Sequence, residues 1–153
     1  MTRTDEARRR IDASPVRVFA ALTTPESLEQ WLAPDGMTAR VERFDARAGG
    51  ETRMVLTYDD ASDAPGKSDA AHDVVETTIV EFEPGVRIVQ AITFETDDDA
   101  FAGVMRMTWE VLADGAHSQV LFRAEDVPSG ISAEDHIEGL TASLRNLAAL
   151  VER

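Results

Sequence analysis

The chain contains no cysteine. That excludes a disulfide framework, Cys-ligated zinc or iron-sulfur sites and a thiol nucleophile. Basic charge is scarce, with 15 Lys and Arg against 29 Asp and Glu and a formal net charge of -14. Such a surplus of carboxylates repels polyphosphates and anionic lipid, so neither nucleic acid nor a membrane is an expected partner. The single basic run, Arg8-Arg9-Arg10, falls in an extended segment beside Ile11 and reads as a solvated strand face rather than an anion site. No apolar run approaches the roughly 18 residues that span a bilayer, and Met1 to Arg10 has no signal-peptide hydrophobic region. A cytoplasmic location is therefore expected. Nothing in the sequence sets an oligomeric state.

What is present is an ordinary globular composition: 153 residues, 43% hydrophobic and 29% charged. At this length one domain over 1-153 is expected, burying roughly 70% of the unfolded chain's surface. Ser14-Pro15 offers an N-cap followed by proline at the first helical position, and Val16, Phe19, Ala20 and Leu22 follow at helical spacing. Thr24-Pro25 repeats the device, with Leu28, Trp31 and Leu32 on one face, until Pro34-Asp35-Gly36 stops the chain. From Met37 the hydrophobic period changes to two, and Gly49-Gly50 divides a hairpin whose second arm places Thr52, Met54, Leu56 and Tyr58 on its inward face. Residues 59-71 have loop composition.

Four more extended segments, near His72 to Phe82, Val86 to Phe94, Gly103 to Leu112 and Ser118 to Glu125, are separated by short turns, which implies an antiparallel meander. Ser132 and Asp135 then open one long helix whose stripe is Ala133, Ile137, Leu140, Leu144, Leu147, Ala148 and Val151. A first strand around Arg8 to Ala13 completes the order. The plan is α+β: one strand, two short helices, six strands and a helix.

Seven strands about 4.8 Å apart make a sheet roughly 29 Å across, and a helix is only about 10 to 12 Å wide. The sheet must curl around the helix. A concave sheet gripping one rod tends to leave room at one end, because side chains alone fill the space between them. Alternation nominates Met105, Met107, Trp109 and Val111, then Val120 and Phe122, then Ile88, Ile92 and Phe94 as lining. Gln90 shares the parity of Ile88 and Ile92, so its amide needs a partner: Tyr58, a backbone group, a fixed water or a ligand.

The residues show no catalytic constellation. His72, His117 and His136 have no i,i+3 or i,i+4 partner suited to a metal, and His136, at the flank of the helical stripe, is the one acid-base candidate among them. Asp97-Asp98-Asp99 lacks the spacing of a calcium loop, Gly49-Gly50 lacks the setting of a phosphate loop, and no Gly-x-Ser-x-Gly elbow occurs. Neither a metal nor a cofactor is expected.

Ile11-Asp12-Ala13-Ser14-Pro15, then Val18-Phe19, Ala21-Leu22-Thr23 and Pro25-Glu26 leading to Trp31, resembles the opening of the activator-of-heat-shock-protein-90-ATPase-like family. Phe44-Asp45-Ala46-Arg47-Ala48-Gly49-Gly50 with Arg53 is similar to that family's glycine hairpin. Glu81-Phe82-Glu83-Pro84 and Glu138-Gly139-Leu140 resemble two later elements. Ala124 stands where many members carry histidine, and Leu140 replaces a common tryptophan. The resemblance implies the START-related, birch-pollen-allergen-like superfamily, with a helix-grip fold around a hydrophobic ligand cavity. It transfers no catalytic set.

The leading expectation is a protein that binds a small apolar or amphipathic ligand between sheet and C-terminal helix. Trp31, Met54, Tyr58, Gln90, Met107, Trp109, Phe122, His136, Leu140 and Leu144 are the expected contacts, with Tyr58 and Gln90 orienting a polar end. Two alternatives stand beside it. One is a protein-partner module like the chaperone-ATPase activators. The other is an enzyme like polyketide cyclases and aromatases, with His136, Tyr58 and Glu81 as nominated groups.

Overall fold

A computed structural model describes residues 3-33, 37-58, 72-94 and 96-153. The expected stop at Pro34-Asp35-Gly36, the expected loop at 59-71 and Glu95 lie outside them. The order is β1 (Asp5–Ile11), α1 (Pro15–Leu22), α2 (Pro25–Trp31), β2 (Met37–Phe44), β3 (Glu51–Tyr58), β4 (His72–Glu83), β5 (Arg87–Phe94), β6 (Met105–Asp114), β7 (His117–Glu125) and α3 (Ala133–Val151). One antiparallel sheet runs β1-β7-β6-β5-β4-β3-β2, so β2 to β7 form a meander and β1 closes onto its last strand. The sheet curls around α3 in the α+β helix-grip arrangement.

Local chemistry explains most boundaries. The Ser14 hydroxyl accepts from the Arg17 amide and the Ser132 hydroxyl from the Asp135 amide, so both helices begin on an N-cap. Thr24 behaves differently from the expected second cap. Its hydroxyl donates backward to the Ala20 carbonyl at 2.7 Å and closes the end of α1 instead. Gly49, at φ +83, turns the β2–β3 hairpin, and a side chain on Gly50 would strike the Asp45 carbonyl. This close turn leans on β4: the Gly49 amide donates to the Ile79 carbonyl and the Ile79 amide to that of Gly50.

β1 starts at Asp5 and ends at Ile11, rather than spanning Arg8 to Ala13. Its pairing with β7 fixes this, from Asp5 opposite Ala124 to Ile11 opposite Ser118. Arg8, Arg9 and Arg10 are exposed, on a strand at the sheet edge. Ile137 departs from the expected stripe and is 41% exposed, whereas Leu140, Leu144, Leu147, Ala148 and Val151 are buried. It lies about 100° around the helix from His136, the neighbour that turns inward to β1.

The buried cluster is densest where α1 and α2 close one end of the grip. Ile11, Val18, Leu22, Leu28, Trp31, Val120 and Leu147 are all fully buried there. The Trp31 indole N–H donates to the Ala21 carbonyl at 2.9 Å, and its rings pack 5.1 Å from Trp109 and 5.5 Å from Phe122. Ser143 and Asn146 donate to the Leu32 and Ala33 carbonyls, tying α3 to the end of α2.

Candidate functional site

The other end of the grip is not filled. A cavity of about 310 Å³, open on one side, lies between the inward faces of β3 to β7 and the first three turns of α3. Each strand supplies alternate residues: Met54, Leu56 and Tyr58 from β3, Asp73 and Val75 from β4, Gln90, Ile92 and Phe94 from β5, and Met105, Met107 and Trp109 from β6. Phe122 comes from β7, and Asp135, His136, Gly139, Leu140 and Ser143 from α3. Gly139 faces open space, for a side chain added there would meet nothing within 4 Å.

Of the expected contacts, Met54, Tyr58, Gln90, Met107, Trp109, Phe122, His136 and Leu140 stand on this wall. Trp31 and Leu144 do not. Trp31 is sealed behind Trp109 and Phe122, and Leu144, 1% exposed, points into the dense end. A helical stripe identifies the buried face but not which end of it meets a void. Glu81 is also misplaced as an acid-base nominee. A bulge between Ile79 and Glu81 shifts the register, and Glu81 pairs with Arg87 at 2.7 Å on the exposed side.

The polar groups fall into separate sets. The Tyr58 hydroxyl donates to Asp73 Oδ2 at 3.5 Å. Burial, then the Asp73 charge, raise the Tyr58 pKa above the ordinary phenol value, so it stays protonated. Asp73 itself is buried. Gln90 is equally buried, 2% exposed, and its amide nitrogen has no hydrogen-bond partner. Tyr58, weighed above as its partner, bonds Asp73 instead.

One cluster was missed by sequence reasoning. Asp5, 2% exposed, accepts from Arg3 through both carboxylate oxygens, from Nε and Nη2 at 3.0 Å each, and lies 2.8 Å from His136 Nδ1. Arg3 also donates to the Ile131 carbonyl. Burial raises the Asp5 pKa, but the hydrogen bonds and charges of Arg3 and His136 outweigh it and hold the carboxyl below its ordinary value. No sequence motif marks this group, since it joins three positions more than 125 residues apart in part.

The described wall carries no Lys or Arg. Among the described residues no group of three or more His, Asp or Glu side chains could hold a metal, and no helix is long and apolar enough to cross a membrane.

A curled seven-stranded sheet gripping a C-terminal helix, hollow at one end, defines the helix-grip class. Within it, residues 12–152 match the family model described as Activator of Hsp90 ATPase homolog 1-like protein, and the chain belongs to that family. Protein CV1439 from Chromobacterium violaceum is similar in structure, with a TM-score of 0.85 and 29% identity over 98% of this chain and 97% of that one. A protein from Arthrobacter aurescens shares the fold, with a TM-score of 0.80 and 16% identity over 97% of this chain and 86% of that one. So does DynU16, a protein of the dynemicin biosynthetic locus, with a TM-score of 0.69 and 15% identity over 97% of this chain and 47% of that one. No curated protein matches the chain in sequence.

Proposed function

We propose that the protein binds a small, largely apolar molecule in this cavity, oriented by a hydrogen-bond acceptor placed on Gln90. The observation that carries the reading is the Gln90 amide nitrogen, buried on an apolar wall without a partner. An unsatisfied buried donor costs about 1–3 kcal/mol, which an acceptor on the ligand recovers. Met54, Met107, Trp109, Phe122 and Leu140 offer the apolar contact, and the methionines adapt to its shape. Asp73 and Asp135 on the wall disfavour an anionic ligand. The expected class is an uncharged aromatic or aliphatic molecule bearing a carbonyl.

Calorimetric titration with 2-acetylnaphthalene and 2-ethylnaphthalene tests this, because the pair differ in little but the carbonyl. The ketone should bind about tenfold more tightly, or about 1.4 kcal/mol. In Gln90→Met that preference should vanish while thermal stability rises. Failure of both compounds to bind would refute the reading.

The family's name favours a second reading, a partner-binding module that stimulates a chaperone ATPase. ATPase assays with the host's Hsp90-type chaperone separate the two, since stimulation that survives Gln90→Met would not depend on the cavity. The expected setting for either is the cytoplasm, which cell fractionation would check.

A further inference from the structure

We infer that Thr52, Thr77 and Gln90 together form a polar subsite that takes a hydroxyl group of the ligand, so that the class of molecule bound narrows to one carrying a hydroxyl on the carbon beside its carbonyl. The inference rests on the cavity being a ligand site.

Three observations carry it. First, among the described residues four buried side-chain polar atoms have no hydrogen-bond partner, and three of them belong to this group: Thr52 Oγ1, Thr77 Oγ1 and Gln90 Nε2. Folded proteins rarely leave such atoms unpaired, and three in one place point to one partner that they share. Second, the register of the sheet sets them side by side. Thr52 is opposite Thr77 and Thr77 opposite Ile92, while Gln90, two residues before Ile92 on the same strand, is the diagonal neighbour of Thr77. All three have the inward parity of Met54, Val75 and Ile92. Residues directly opposite have Cβ atoms about 4.5–5.5 Å apart and diagonal neighbours about 7–8 Å, a gap that a side chain as long as glutamine crosses. Third, Thr77 is recessed in the cavity wall. Its inward neighbours Met54, Val75, Gln90, Ile92 and Phe94 all line the cavity, while Thr52 and Thr77 are only 2% and 3% exposed.

The chemistry of the three atoms selects the group. The Gln90 amide nitrogen only donates, through two N–H bonds, whereas each threonine hydroxyl both donates and accepts. An oxygen that accepts from Gln90 and from one threonine and donates to the other satisfies all three, and a hydroxyl is the smallest uncharged group that does so. A carbonyl alone has no proton to give, and a carboxylate would bring a charge into an apolar wall. The second Gln90 N–H is left for the ligand's carbonyl. A hydroxyl on the adjacent carbon sets the two ligand oxygens close enough to share one amide nitrogen. Water offers the same oxygen, so the test separates a fixed water from the ligand's own hydroxyl.

The test is calorimetric titration with 2-acetylnaphthalene, its hydroxyacetyl analogue and its methoxyacetyl analogue. The hydroxyacetyl compound should bind about tenfold more tightly than the acetyl one, and the methoxyacetyl compound, whose ether oxygen has no proton to donate, should show no gain. Thr77→Val and Thr52→Val keep the shape and remove the hydroxyl. Each should abolish the gain, leave the Kd of 2-acetylnaphthalene within about twofold, and raise the Tm of the free protein, because an unpaired buried hydroxyl is lost. A threonine that merely fills the wall would not alter the ratio of the two Kd values. Equal affinity of the hydroxyacetyl and acetyl compounds for wild type overturns the inference and leaves the ligand site standing, and if Thr77→Val then weakens both alike, the subsite belongs to a fixed water. A gain that survives both valine variants overturns it as well. Failure of all three compounds to bind removes the ligand site and the subsite together.

Discussion

The two ends of the grip are made of the same sheet and the same helix, yet one is solid and the other hollow. At the solid end α3 presents Leu144, Leu147, Ala148 and Val151 to a sheet capped by α1 and α2. At the hollow end it presents His136, Gly139, Leu140 and Ser143, and of the two short helices only the C-cap of α2, Leu32, touches the cavity. The difference teaches that the cavity is built by side-chain choice along one helix and by where α1 and α2 stop. Buried ionisable and amide groups follow the same division among the described residues: Gln90, Asp73 and Asp5, with His136, sit at the hollow end, whereas the buried Ser118 hydroxyl donates to the Ala13 carbonyl at the solid one.

The largest test of that contrast is a pair of identical truncations. Leu147→Ala opens a sealed void at the solid end and should cost about 3–4 kcal/mol, whereas Leu140→Ala enlarges an existing cavity and should cost about 1–2 kcal/mol. Urea unfolding of both variants checks this, and equal costs would erase the distinction between the ends.

A smaller effect is expected from the charged group behind the wall. Because the Asp5 pKa is lowered on folding, its contribution is present above the unfolded value, near 3.8, and is lost as pH falls through the folded value. Asp5→Asn should therefore destabilise by about 1–3 kcal/mol at neutral pH, with the gap to wild type closing in acid. A gap that stays constant down to the acid transition would contradict the lowered value.

Smallest is Gly139→Ala. A glycine inside a helix costs about 0.5–1 kcal/mol relative to alanine, and the added methyl meets nothing. Thermal melts should show a gain of that size, and a loss would mean the hollow end is already filled.

Much of this contrast was legible in the sequence. The period-two pattern of Met54, Leu56 and Tyr58, and of Met105, Met107 and Trp109, names inward faces directly, because side-chain direction in a strand is local. Gln90 stood out for the same reason, as a polar residue on an apolar parity. What a local pattern does not hold is depth along the axis. Trp31 and Leu144 have the spacing of lining residues, but the docking of α2 places them behind the wall. Asp5 was invisible because its burial depends on β7 at one side and α3 at the other. The bulge that displaced Glu81 is likewise a property of two strands together.

The most direct measurement is the side-chain amide resonance of Gln90 in a 1H–15N spectrum titrated with 2-acetylnaphthalene. A saturable downfield shift of one amide proton, absent with 2-ethylnaphthalene, is the predicted result. An amide that is unmoved while the ketone binds would show that the interior donor is not what the hollow end is built around.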